Sequence, residues 1–156
     1  MEKLHIERKA CDNKYLHKDF HVTVDNGLTY VGTNYGDKAV EEFLTQYATN
    51  FYAPFVQIFK RDGLVAIENR FKEVYKKEEW EEFLHTFLTK NELVIKIDKC
   101  PAITYLKSIG STPSRWYKEL TYTVYKVLAE MCGIGFKVDY YCEETGKAQL
   151  VFFIKE

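Results

Sequence analysis

The sequence lacks any apolar run that approaches the ~18 residues needed to cross a bilayer. Its first five residues, Met1 to His5, also lack the apolar core of a signal peptide. We therefore expect a cytoplasmic protein with no membrane partner.

A strongly basic segment is missing as well. The chain carries 22 basic and 23 acidic residues, for a formal net charge of −1, and the two signs are mixed along its length. Proteins that bind nucleic acid need a basic surface that displaces counterions from the phosphates. We therefore expect no nucleic-acid partner.

Cysteine pairs of the C-x-x-C type, internal repeats and linkers rich in Pro, Gly or Ser are also absent. The four cysteines, Cys11, Cys100, Cys132 and Cys142, are widely spaced, and we expect them to be thiols in a reducing cytosol. A chain of 156 residues without a linker is expected to form a single domain, residues 1–156.

Aromatic residues are abundant, with 12 Tyr and 11 Phe. Aromatic rings bring large buried area, and a buried Tyr hydroxyl needs a hydrogen-bond partner. Such a composition suits either a tight core or a cavity that holds an aromatic or partly apolar ligand, and composition alone does not choose between them.

The N-terminal half shows helical periodicity. Apolar positions from Leu16 through Phe20 and Val24 to Val31 suit a helix, although residues 20–31 also match a β-hairpin around an Asp-Asn-Gly turn. We favour the helix.

A second helix is predicted from Asp37. We expect Pro54 to end or bend it, because proline removes a backbone donor and disfavours helical geometry at Ala53. A break at residues 61–63 precedes a further helical segment from Leu64.

The C-terminal half predicts a β2-α-α-β2 arrangement. Residues 83–88 and 93–98 alternate like strands, and two further strands close the chain. Between these pairs, Pro101 opens a short helix, and Ser111 or Ser114 caps a long one that includes Trp116. The predicted fold class is α+β, with a helical N-terminal half packed on one face of a four-stranded antiparallel sheet.

This arrangement over residues 79–156 resembles the 4-vinyl reductase-like ligand-binding fold, and more closely the 2-aminothiazoline-4-carboxylate hydrolase family. The resemblance is carried by a strand that ends in Cys100-Pro101, a short helix, a long helix and a final hairpin. It implies a small-molecule binding fold and, for the second family, hydrolase activity. The chain has Tyr117 and Glu119 on the long helix and Phe152 in the last strand, where that family usually carries further cysteines.

Two of the four histidines, His17 and His21, lie only four residues apart, with an acid between them. On a helix they lie about 6 Å apart along the axis and on the same side, whereas on a strand they are ~13 Å apart. They can serve as acid or base or donate to a ligand, or they can simply flank the apolar stripe and form hydrogen bonds at its edge. No third metal ligand is identifiable, and the sequence identifies no cofactor.

Cys100 is the candidate nucleophile. The amides at the start of a helix stabilise a thiolate, and His17, His21 or His85 can supply a base only through tertiary contact. The alternative is a buried structural thiol.

Aromatic helices over a sheet can enclose a ligand cavity, or they can form a plain core. Arg70 and Arg115 are candidates to bind a ligand carboxylate. The residues predicted to line the ligand site are His17, His21, Tyr52, Cys100, Trp116 and Tyr117.

Three hypotheses follow. The first is a small-molecule binding or sensing domain for a partly apolar organic ligand. The second is a hydrolase of a small C–N substrate, with Cys100 as nucleophile and His17 or His21 as base. The third is an interaction protein that forms a homodimer through an apolar helical face.

Overall fold

The computed structural model describes residues 18–155, which form an α+β fold. The N-terminal part is helical, and the C-terminal part consists of a strand pair, two helices and a second strand pair. The helices are α1 (Asp19–Tyr35), α2 (Asp37–Asp62), α3 (Leu64–Lys77), α4 (Pro101–Ser108) and α5 (Glu119–Met131). The strands are β1 (Leu84–Leu88), β2 (Glu92–Ile97), β3 (Gly135–Tyr141) and β4 (Ala148–Phe153).

The four strands form one antiparallel sheet in the order β1-β2-β4-β3, which confirms the predicted fold class. On one face of the sheet, the side chains of Leu93, Ile95, Leu150 and Phe152 are fully buried. Helices α3 and α5 pack against the sheet, while α1 and α2 pack against α4 and α5. The sheet is therefore covered on one face.

Residues 20–31 form part of α1, so the helical prediction is confirmed over the hairpin. Leu28 is almost fully buried against the other helices, and Gly32 lies against the ring of Trp116. The buried residues of α1 are Asp25, Leu28 and Gly32, whose spacing of three and four places them on one side of a helix and not on one face of a strand.

The prediction that Pro54 could end α2 is wrong, because the helix continues to Asp62. Proline has no amide hydrogen, so Pro54 cannot donate the usual helical hydrogen bond to the carbonyl of Asn50. Both residues are exposed, and water can therefore donate to that carbonyl instead. Buried Tyr52 and Phe59 on either side of the proline anchor both halves of the helix in the core. The predicted break at 61–63 is confirmed, since Gly63 has a positive φ of 60° between α2 and α3.

The long C-terminal helix begins later than predicted, at Glu119 rather than near Ser111 or Ser114. The amide of Ser114 donates to both carboxylate oxygens of buried Asp25, at 3.0 and 3.2 Å. This contact with α1 holds the preceding segment in a turn. Trp116 therefore precedes the helix.

Two glycines of α1 provide a matched test of this packing. A Cβ at Gly32 would lie 2.2–2.5 Å from ring atoms of Trp116, whereas a Cβ at Gly27 would meet nothing within 4 Å. We expect Gly32→Ala to destabilise the protein by about 1–3 kcal/mol through overpacking. Gly27→Ala should stabilise it by roughly 0.5–1 kcal/mol, because alanine favours a helix.

Urea unfolding followed by circular dichroism measures both changes. If the two variants shifted the free energy of unfolding by the same amount and sign, the described contact between α1 and Trp116 would be wrong.

Candidate functional site

A cavity of about 200 Å³ lies among α3, α5 and the covered face of the sheet. His21 of α1 and the start of α4 contribute to its wall. Its apolar lining includes Ile67 and Phe71 of α3 and Leu128 of α5, all of them buried. The space is comparable to a cavity of about 150 Å³ that holds benzene in another protein.

His21 and Glu78 form one polar part of the wall. Nε2 of His21 lies 3.1 Å from Oε1 of Glu78, and the two side chains are only 13% and 5% exposed. The rings of His21 and Tyr105 are also close, with centroids 6.3 Å apart. A buried carboxylate is costly unless it is paired, so Glu78 fixes the orientation of the imidazole next to the cavity.

Cys100 lies at the N-terminal end of α4 and lines the same cavity. Burial raises the pKa of its thiol, the amides of Ile103 and Ala102 act in the opposite direction, and the charge of Glu78 raises the pKa further. The net direction is upward. The thiol is therefore protonated at neutral pH, and the start of the helix does not activate it.

The turn between β3 and β4 packs directly on this cysteine. The amide of Cys100 donates to the carbonyl of Thr145 at 3.0 Å. Gly146 has a positive φ of 67°, and a Cβ there would lie 2.2 Å from Cβ of Cys100. Only glycine fits both the backbone conformation and the space, so this turn fixes the position of the thiol.

Tyrosine hydroxyls supply most of the remaining polar surface. Tyr75, Tyr117, Tyr125 and Tyr141 line the cavity, and burial is the main cause that raises the pKa of each. The Tyr75 hydroxyl donates to the carbonyl of Lys99 at 3.4 Å. The hydroxyls of Tyr117 and Tyr125 make no hydrogen bond to another described residue, so they are neutral groups that a ligand can engage.

Arg70 provides the positive charge of the cavity wall, and its side chain is 32% exposed. The guanidinium lies 5.8 Å from the ring centroid of Phe51 and interacts with Tyr52. Burial raises the pKa of Tyr52 to about 12, although Arg70 acts to lower it.

In the described part of the chain, Arg70 forms an ion pair with the carboxylate of Glu73. Nη1 of Arg70 is 3.7 Å from Oε2 of Glu73, whose other oxygen accepts a 2.7 Å hydrogen bond from Lys77. Arg70 thus has no bidentate carboxylate partner within residues 18–155, and it retains the capacity to bind one from a ligand.

The predicted site residues divide into three groups. His21, Tyr52, Cys100 and Tyr117 come together around the cavity, although they are distant in sequence. Trp116 lies elsewhere, where its indole Nε1 donates to Asp37 at 2.7 Å and its ring contacts Gly32. His17 lies outside the described residues, and so does any site that it shares with His21.

Glu78, Tyr75 and Tyr141 are site residues that the sequence analysis missed. Glu78 follows Phe71 and Tyr75 at helical spacing, so it continues the buried stripe of α3. An acid on an apolar stripe is a signal that could have identified it, because buried charges are usually paired. No comparable signal identifies Tyr141, because it lies in a strand in which apolar and polar residues alternate in the ordinary way.

Within residues 18–155, no group of three or more His, Cys, Asp or Glu side chains is placed to hold a metal ion. In the same part of the chain, no helix is both long enough and apolar enough to cross a membrane.

No family model matches the chain, and no curated protein or solved structure is significantly similar to it.

Two described cysteines should differ in reactivity. A hydrogen bond with the Thr145 side chain is the main cause that lowers the pKa of Cys142, whereas burial raises that of Cys100. At pH 7.5 we expect iodoacetamide to modify Cys142 several-fold faster than Cys100, because the thiolate is the nucleophile. The rate at Cys100 should rise only above the ordinary thiol pKa of about 8.5.

Peptide mapping by mass spectrometry separates the two sites. Faster alkylation of Cys100 than of Cys142, with a midpoint below about pH 7.5, would show an activated Cys100.

Proposed function

We propose that this chain is a cytosolic binding or sensing domain whose cavity holds one small, partly apolar organic molecule. The observation that carries the proposal is the cavity itself, which combines an apolar lining with the hydroxyls of Tyr117 and Tyr125, for which residues 18–155 provide no hydrogen-bond partner. Ligand sites typically pair an apolar enclosure with a few polar groups that set orientation. A plain core would instead fill this volume or pair these hydroxyls.

The arrangement of charge favours a ligand with one anionic end. Arg70 is the partly exposed cation of the wall, and the tyrosine hydroxyls and the Cys100 thiol are neutral at pH 7. The acid of the wall, Glu78, lies against His21 rather than against Arg70. A single ring with a short carboxylate arm can place its ring among Phe71 and Leu128 and its carboxylate on Arg70. The proposed resemblance to the 4-vinyl reductase-like ligand-binding fold is consistent with this assignment.

Hydrolysis of a small C–N substrate is the second candidate. It is favoured by one observation, that Cys100 and His21 line the same cavity while Glu78 holds the imidazole. In such a reaction the sulfur would attack the substrate carbon, His21 would take the thiol proton and return it to the leaving amine, and water would release the acyl group. The raised pKa of Cys100 favours binding over this chemistry.

The role of Arg70 can be tested with 3-phenylpropanoate and its neutral isostere 3-phenylpropanamide. We expect the carboxylate to bind the wild-type protein about tenfold more tightly than the amide, because a hydrogen bond to a charged group contributes roughly 1.5–3 kcal/mol. Arg70→Gln should abolish this preference. Arg115→Gln is the matched control, since Arg115 pairs with Asp37 at 2.6 Å and does not line the cavity.

Calorimetric titration gives the affinities, and NMR shifts of the Ile67 and Leu128 methyl groups locate the probe. Equal binding of the two probes would refute the anionic preference but leave the cavity as a ligand site. Absence of methyl shifts with either probe would contradict the proposed function.

A further inference from the structure

Arg70 of α3 rests on aromatic side chains of α2. Its Cζ atom lies 5.8 Å from the ring centroid of Phe51, within the ~6 Å range of a cation–π contact. The ring of Phe51 stacks on that of Tyr47, with centroids 5.4 Å apart and an interplanar angle of 17°. It also meets the ring of Tyr52 edge-on at 5.0 Å. Phe51 therefore links the guanidinium to a connected group of three rings.

Burial in the core does not explain the presence of Phe51 and Tyr47. These residues are 48% and 39% exposed, so each forgoes much of the stabilisation that a fully buried aromatic ring contributes. Single exposed apolar residues are common on protein surfaces. Here, however, the exposed ring of Phe51 lies over the one Arg or Lys side chain that lines the cavity in residues 18–155. A role toward this cation accounts for a ring at this position.

Glu73 offers the guanidinium a competing position. It lies one turn further along α3, its side chain is 53% exposed, and its Oε2 is 3.7 Å from Nη1 of Arg70. Phe51 contacts Tyr52, which lines the cavity, whereas Glu73 does not line it. Movement of the guanidinium toward Glu73 would therefore take the positive charge away from the ligand site. The contact with Phe51 opposes that movement.

Three tyrosine hydroxyls lie close to the same guanidinium. Burial is the largest cause that raises the pKa of Tyr47, Tyr52 and Tyr125, and the charge of Arg70 acts in the opposite direction on all three. Tyr52 and Tyr125 also line the cavity. A neutral phenol can donate to an anion, and a guanidinium presents a planar fork that matches a carboxylate. The Arg70 end of the cavity thus brings several donors to one anionic group.

We propose that Phe51, supported by Tyr47, is a positioning residue that gives the cavity its preference for an anionic ligand, because it holds the Arg70 guanidinium at the cavity and away from Glu73. The inference rests on the proposed function, since it concerns how that cavity selects its ligand. An arginine that is already held in place loses little side-chain freedom when a carboxylate binds. A neutral ligand gains much less from the same arrangement.

Replacement of the Phe51 ring tests this role with 3-phenylpropanoate and 3-phenylpropanamide. In calorimetric titrations, we expect Phe51→Leu to weaken binding of the carboxylate about two- to fivefold, the effect of losing an exposed cation–π contact, and to leave binding of the amide unchanged. Phe51→Tyr keeps a ring and should keep the preference for the carboxylate. Phe43→Leu is the matched control, since Phe43 is also 48% exposed on α2 but lies about 12 Å along the helix axis from Phe51.

A double-mutant cycle with Glu73→Gln tests the competition for the guanidinium. Removal of the Glu73 charge should raise the preference for the carboxylate more in the Phe51→Leu protein than in the wild type, because in the wild type the ring already holds Arg70 at the cavity. Equal gains in the two backgrounds would show a simple charge effect and would overturn the competition between Phe51 and Glu73.

The two probes separate failure of this inference from failure of the proposed function. A preference that survives in Phe51→Leu, or an equal loss of affinity for both probes, would overturn the role of Phe51 and leave the cavity as a ligand site. Equal binding of the two probes by the wild-type protein would overturn it together with the anionic preference. Binding of neither probe would contradict the proposed function, and this inference with it.

Discussion

The structure depends on how two hydrophobic clusters meet. One cluster joins α3, part of α5 and the sheet, and the other joins α1, α2, α4 and the opposite side of α5. Phe55, Tyr125 and Cys132 contact both clusters. Buried Tyr hydroxyls and the His21–Glu78 pair need hydrogen-bond partners, and the cavity lies where these polar side chains meet the two clusters.

Much of the fold could be predicted from the sequence, because periodicity is a local signal. The spacing of Phe20, Val24 and Leu28 identified α1, and the alternation of Leu93, Ile95 and Ile97 identified β2. The continuation of α2 beyond Pro54 could not be predicted, because it depends on burial at either side of the proline. The late start of α5 likewise depends on Asp25, which is 89 residues from Ser114 in sequence.

The candidate site was predictable only in part. Cys100 and His21 could be named because their residue types carry chemistry, but their shared cavity follows from tertiary packing alone. Residue type alone misplaced Trp116, whose indole contacts Gly32 and Asp37 and does not line the cavity. A helix start suggests an activated thiol, yet burial outweighs the nearby amides at Cys100. The raised pKa of Cys100 therefore agrees better with the proposed binding role than with nucleophilic attack.

Native mass spectrometry of the wild-type protein and of Ala148→Leu tests most directly whether the cavity holds a ligand, because Ala148 lines the cavity and a larger side chain would fill it. Both proteins are purified without denaturation, and each native mass is compared with the mass after denaturation. We expect the wild-type protein to carry the mass of one small organic molecule, as purified or after incubation with 3-phenylpropanoate, and Ala148→Leu to carry none. A bare wild-type mass under both conditions, or equal retention by the two proteins, would contradict the proposed ligand site.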